Sequence, residues 1–172
     1  MWDMDLVLYP DPRLTAKNGD LMEYTPNVAL RMAEMVKKNL QLGGAGLAAP
    51  QVGWNVRLFV LSAPAVGDTS VIHRIIWNPT VETSGELVPM REGCLSFPRI
   101  WAEIRRWTKV RLLGQTLEGP VDLPLEGLGA QAVQHEMDHL DGILFIERMT
   151  DADRRLNRAG IRALEERGRA KR

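Results

Sequence analysis

Two histidines four residues apart, His135 and His139, occur with Glu136 in the string Gln134-His135-Glu136-Met137-Asp138-His139. On an α-helix that spacing puts both imidazoles on one face, where they can share a metal ion. Ala132, Glu136 and His139 recur at steps of three or four, so Glu136 flanks the same face and can reach a water beside the ion. The chain has one cysteine, Cys94, inside Glu92-Gly93-Cys94-Leu95-Ser96. Its thiolate, brought in from there, would complete a three-ligand site and leave the fourth position to water.

Each of these signals has an ordinary explanation. His-Glu-x-x-His strings arise by chance on solvated helices. Here, however, two of the three histidines in the chain fall at ligand spacing, and the third, His73, lies in an apolar run at 71–77 that suits a surface-facing or core-satisfied ring. A lone cysteine is commonly a small buried core residue. Gly93 before Cys94 permits an unusual backbone, and Leu95-Ser96-Phe97-Pro98 after it reads as a loop edge. The run 43–53 adds glycines and alanines that let another backbone approach closely, with Gln51 as one amide in an apolar stretch. It lacks both a Gly-Lys-Ser/Thr ending and a Gly-x-Gly-x-x-Gly spacing, which argues against a phosphate loop.

Three ordered segments, Gly-x-Gly-Leu-Ala-Ala-x-Gln at 44–51, Glu-Gly-Cys-Leu-Ser at 92–96 and Gln-His-Glu-x-Asp-His at 134–139, together resemble the peptide deformylase family. The opening Leu8-Tyr9-Pro10-Asp11-Pro12-Arg13-Leu14 is similar to that family's start, so the likeness spans nearly the whole chain. The resemblance implies Cys94, His135 and His139 as ligands of one divalent metal ion, Fe(II) in the cell, with Zn, Ni or Co in purified protein. It implies Glu136 as general base and acid, and Gln51 with the Leu95 backbone N–H as oxyanion donors. The implied reaction is hydrolysis of the N-formyl group from the initiator methionine of nascent polypeptides, releasing formate. The N-formylmethionyl peptide would lie as an added strand beside Gly44, Ala45 and Gly46, near Gly93. Met90, Leu95, Leu128 and Ala132 are candidates for the methionine pocket by adjacency to the motifs. Ala45 stands where many relatives carry a larger aliphatic residue, Gln131 is polar one turn before His135, and Arg99-Ile100-Trp101 fits no familiar pattern. A zinc endopeptidase shares His-Glu-x-x-His but would need a further downstream ligand and would leave Cys94 and Gln51 without a role.

The elements that must position these groups are legible in outline. The run 128–140 is rich in helix formers and ends at Asp141-Gly142. Thr25-Pro26 opens an earlier helix with Val28, Met32, Met35, Val36 and Leu40 as its apolar stripe and Gly43-Gly44 as its stop. Strands are expected at 57–61, 71–77, 103–113 and 121–123. Short, mostly antiparallel strands around a central metal-binding helix, with a helix toward each end, make an α+β fold. The resemblance further implies that Glu92 and Arg106 pair near the cysteine loop, where the plain alternative is two solvated side chains.

The 172 residues contain no repeat, long polar linker or low-complexity tract, so 1–172 is expected to be a single catalytic domain. With no long apolar run and no signal or transit pattern, a cytoplasmic monomer with no membrane contact is expected, and the single cysteine suits a reducing compartment. The chain is neutral, with 22 basic and 22 acidic residues, yet its end at 151–172 is clearly basic. That tail reads as a helix with a weak stripe of Leu156, Ala159, Ala163 and Leu164. Such a surface suits RNA phosphates, and the resemblance implies the ribosome as partner; the plain alternative is a solvated helix with a frayed basic end.

Overall fold

A computed structural model describes residues 4–64 and 71–170. The first helix, α1 (Pro26–Leu42), begins where its sequence dictates. The Thr25 hydroxyl accepts from the Val28 amide at 3.3 Å, and Pro26 fills a position that needs no amide partner. Gly43 ends the helix in the left-handed conformation, φ 65°. Met32 and Met35 are buried, but Leu40 is exposed and Asn39 is buried instead. Positions 28, 32, 35 and 39 share one helical face, and 40 lies a step around it. Asn39 tolerates that site because its Nδ2 donates to Ser62 Oγ at 2.8 Å.

One antiparallel sheet carries the fold, in the order β1 (Gly46–Ala48), β2 (Leu58–Pro64), β3 (Val71–Cys94), β4 (Phe97–Thr116), β5 (Gly119–Glu126). The α+β class and its antiparallel pairing are as expected, but the strands at 71–77 and 103–113 are pieces of much longer ones. β3 runs 24 residues and β4 runs 20. The middle of β3 escapes periodicity because residues 82–87 are exposed throughout, so no apolar alternation marks them. His73 is exposed, with Nδ1 2.8 Å from Ser62 Oγ.

β2 is buried on both faces. Leu58 and Val60 join Met32 and Met35 of α1, whereas Phe59 and Leu61 face α2 (Gly127–Leu140) through Ala130, Val133 and Leu140. The sheet is thus sandwiched between two helices, with α2 the central one. The last described element is α3 (Asp151–Ala170), which covers Phe97 and Ile100 with Ile161 and Leu164. The expected stripe is corrected here: Leu156 is 83% exposed, and Gly160 and Gly168 supply the close approach instead. A Cβ on Gly160 would stand 2.6 Å from Ile100 Cδ1, and one on Gly168 would strike the Pro10 ring. Lys171 and Arg172 of the expected tail lie outside the described residues.

Candidate metal centre

β3 and β4 meet in a two-residue turn, Leu95-Ser96, with Cys94 paired to Phe97 at its base. The sole cysteine therefore ends a strand at the tip of a hairpin, rather than lying in a loop. Immediately beyond that first pair the register slips by three residues, because Gly93 pairs with Trp101 while Cys94 pairs with Phe97. Pro98, Arg99 and Ile100 face no partner on β3, and a bulge of this kind re-aims side chains beside a site.

α2 brings the histidines to that hairpin. The ligand atoms of Cys94, His135 and His139 all lie within 4.8 Å of one another, and all three residues are buried. Cys94 Sγ is 3.2 Å from His139 Nε2. His135 Nδ1 is held by Glu92 Oε1 at 2.6 Å, which leaves its other nitrogen for the centre. One thiolate and two imidazoles so close to one another, with no fourth protein ligand among the described residues, fit a divalent ion with an open position. Burial holds His139 well below the usual imidazole range, so its ring is neutral, as a ligand must be.

Glu136 is the buried acid beside the ligands. Its Oε2 has no hydrogen-bond partner among the described residues. Burial pushes its pKa up to about 7, against the opposing charge of His135. Gly46 makes room for it, because a Cβ there would come 2.7 Å from the Glu136 Cγ. Gln51 is equally constrained: its Oε1 accepts from the Ala48 amide at 2.9 Å, and its Nε2 turns toward Ser96 Oγ at 3.2 Å and Cys94 Sγ at 3.5 Å. Its amide group is thus aimed at the thiolate.

A cleft of about 650 Å³ opens over these groups. Gly44, Ala45 and Gly46, Gly93 and Leu95 of the hairpin, and Leu128 with Ala132 of α2 all line it. Met90 does not line it; it lies on β3 opposite Ile104. Gln131 donates to the Arg91 carbonyl at 2.8 Å and so ties α2 to the cleft wall.

The network beneath the centre exceeds the expected pair. Arg106 reaches Glu92 through two bonds, Nε to Oε2 at 3.0 Å and Nη2 to Oε1 at 2.8 Å, and Asp138 Oδ2 through Nη1 at 2.6 Å. Arg148 closes the far side of Asp138, with Nη2 to Oδ1 at 2.6 Å. Burial acts to raise the Glu92 pKa, but hydrogen bonds from His135 and Arg106 overcome it and bring it down to about 2. Asp138 follows Met137 in the motif, and only its step of three from His135 hinted that it faces inward. Asn18 caps the other end of α2, donating from Nδ2 to the Leu140 carbonyl at 2.9 Å.

The profile of the family described as Polypeptide deformylase matches residues 4–155. The chain is 39% identical over 151 residues to the chloroplastic peptide deformylase 1B of Solanum lycopersicum, covering 86% of this chain and 53% of that relative. It is 37% identical over 161 residues to peptide deformylase 1 of Corynebacterium efficiens, covering 92% of this chain and 94% of the other. It thus spans about half the length of the plant relative and nearly all of the bacterial one. The crystal structure of Arabidopsis thaliana peptide deformylase 1B with an inhibitor superposes with a TM-score of 0.89 at 38% identity, over 98% of this chain and 93% of that one. Profile, sequence and backbone agree over the segments that build the cleft, and on those grounds the chain belongs to the polypeptide deformylase family.

Proposed function

We propose that this protein hydrolyses the N-formyl group from the initiator methionine of nascent polypeptides, releasing formate, and that residues 1–172 act as one catalytic unit. The observation that carries the reading is the convergence of Cys94, His135 and His139 next to a buried carboxyl group with a free oxygen. A divalent ion held by those three side chains supplies Lewis acidity and lowers the pKa of water toward about 7. Glu136 takes the proton of the attacking water on Oε2 as oxygen adds to the formyl carbon. Negative charge then builds on the former carbonyl oxygen, where Gln51 Nε2 and the Leu95 N–H donate. Collapse breaks the C–N bond, and Glu136 returns its proton to the departing amine, giving formate and a free amino terminus. A carboxyl group whose pKa is about 7 is well matched to both transfers near neutral pH.

The peptide pairs with the backbone of Gly44, Ala45 and Gly46, and the methionine side chain enters the apolar part of the cleft lined by Leu95, Leu128 and Ala132. Met90 is left out of that pocket.

Formate release from a formyl-methionyl tripeptide by anaerobically metal-loaded protein tests the reading. Release supports it, and no release with metal bound sinks it. Two variants separate the roles. His139→Ala should lose both bound metal, read by elemental analysis, and turnover. Gln51→Ala should keep its metal and lower kcat by about 10²–10³-fold, the usual cost of one oxyanion donor; an unchanged kcat removes Gln51 from the mechanism. The donor set suits Fe(II), Zn, Ni or Co, and we assign Fe(II) in the cell. A ferrous ion beside the Cys94 thiolate makes activity decay in air, and an air-stable enzyme overturns that assignment.

No helix among the described residues is long and apolar enough to cross a membrane. We place the protein in the cytoplasm as a monomer. Arg155, Arg158 and Arg162 are exposed on α3, away from the face docked on Ile100. This basic face is assigned to ribosomal RNA, and replacing the three by Glu should abolish ribosome co-sedimentation while leaving tripeptide turnover intact.

A further inference from the structure

The segment Arg99-Ile100-Trp101, which matched no motif, is where the cleft rim and α3 join. Ile100 is buried under Gly160 of α3, and the Trp101 carbonyl accepts from Asn157 Nδ2 of α3 at 2.9 Å. The Trp101 ring lies across Gly93, whose absent Cβ would otherwise meet it at 2.9 Å, one residue from the Cys94 thiolate. It is nevertheless 55% exposed. The Arg91 guanidinium sits over that ring, 5.5 Å from its centroid. Arg99 holds a φ of 66°, uncommon for a residue with a side chain, at the centre of the bulge.

The charges lining the cleft are unbalanced. Arg91 and Arg99 are exposed on its rim, whereas its two carboxylates, Glu92 and Glu136, are buried beneath it. Glu92 is already committed to Arg106 and His135. Glu103 is directly across the ladder from Arg91, but no ion pair joins the two, and Arg91 turns over Trp101 instead. Arg99 likewise makes no ion pair among the described residues. An incoming peptide therefore meets two guanidiniums and an indole face lining the same cleft as Cys94 and Glu136.

We propose that Arg91, Arg99 and Trp101 set a preference for an acidic side chain, and against a basic one, at one of the two residues following the formylmethionine. The inference rests on the deformylase reading. Guanidiniums in a fixed place attract a peptide carboxylate and repel an ammonium, and the indole keeps Arg91 from folding away.

The test compares kcat/KM for formyl-Met-Xaa-Ser and formyl-Met-Ala-Xaa with Glu, Ala or Lys at Xaa, alongside calorimetric binding of the corresponding deformylated peptides. At one position the order should be Glu, Ala, Lys, with a Glu-to-Lys ratio of roughly tenfold at low salt, as for partly screened ion pairs. The ratio should lie in KM rather than kcat, shrink with added salt, fall toward one in Arg91→Gln with Arg99→Gln, and survive in Arg91→Lys. A wild-type ratio near one at both positions, a preference for Lys, or a ratio untouched by the double replacement overturns the proposal. Failure to cleave formyl-Met-Ala-Ser would instead overturn the deformylase reading, and the binding series would still decide the rim's charge preference.

Discussion

Glu136→Ala is expected to fold, to keep its metal and to lose turnover by roughly 10²–10⁴-fold, the range supplied by a positioned acid–base group. Metal retention follows because Glu136 is not among the three converging ligand atoms. Folding follows because one oxygen of the deleted carboxyl group is buried without a partner among the described residues, so its removal relieves a desolvated group. Glu136→Gln preserves the shape and removes the titrating proton, so the two variants should be nearly equal in rate. Elemental analysis together with formate release on both proteins decides the matter. Activity of Glu136→Ala equal to wild type would remove Glu136 from proton transfer.

Arg106→Met is expected to destabilise the fold by about 3–5 kcal/mol, the cost of removing one partner from a buried charge network. Arg106 is 4% exposed and is the cation shared by Glu92 and Asp138. Asp138 would keep Arg148, but Glu92 would be left with only the His135 ring. Denaturant unfolding measures the loss, and a change below about 1 kcal/mol, the scale of an exposed pair, would contradict the network reading. Acid provides a second readout. The folded pKa of Glu92 is lowered to about 2 from an ordinary 4.5, so its contribution is fully present above 4.5 and is lost as pH falls from there toward 2. Without Arg106 that pKa rises, and acid unfolding should begin at a higher pH.

How much of this was legible beforehand depends on whether a residue's partner lay nearby in the chain. The ends of α1 were readable because Thr25, Pro26 and Gly43 act locally. The pairing of Arg106 with Glu92 was anticipated, and the three ligands were named from short motifs. Asp138, Arg148 and Asn18 were not, since their roles exist only once α2 is set against β4 and the chain's beginning and end. The long exposed arm of β3 was invisible for a different reason. Strand patterning records a buried face, and residues 82–87 have none. The face of α3 was misjudged because a docked glycine carries no hydrophobic signature, so nothing in the sequence marked the contacts of Gly160 and Gly168.

The hairpin that carries Cys94 and the helix that carries the histidines are separate pieces of the molecule, and 45 positions of chain separate Cys94 from His139. An ion shared between them would act as a clasp, besides the chemistry proposed for it. It would close that loop much as a disulfide does, subtracting freedom from the unfolded chain and joining sheet to helix in the folded one. The two jobs would fall on the same three side chains, so a weaker hold on the ion would also loosen the junction that shapes the cleft.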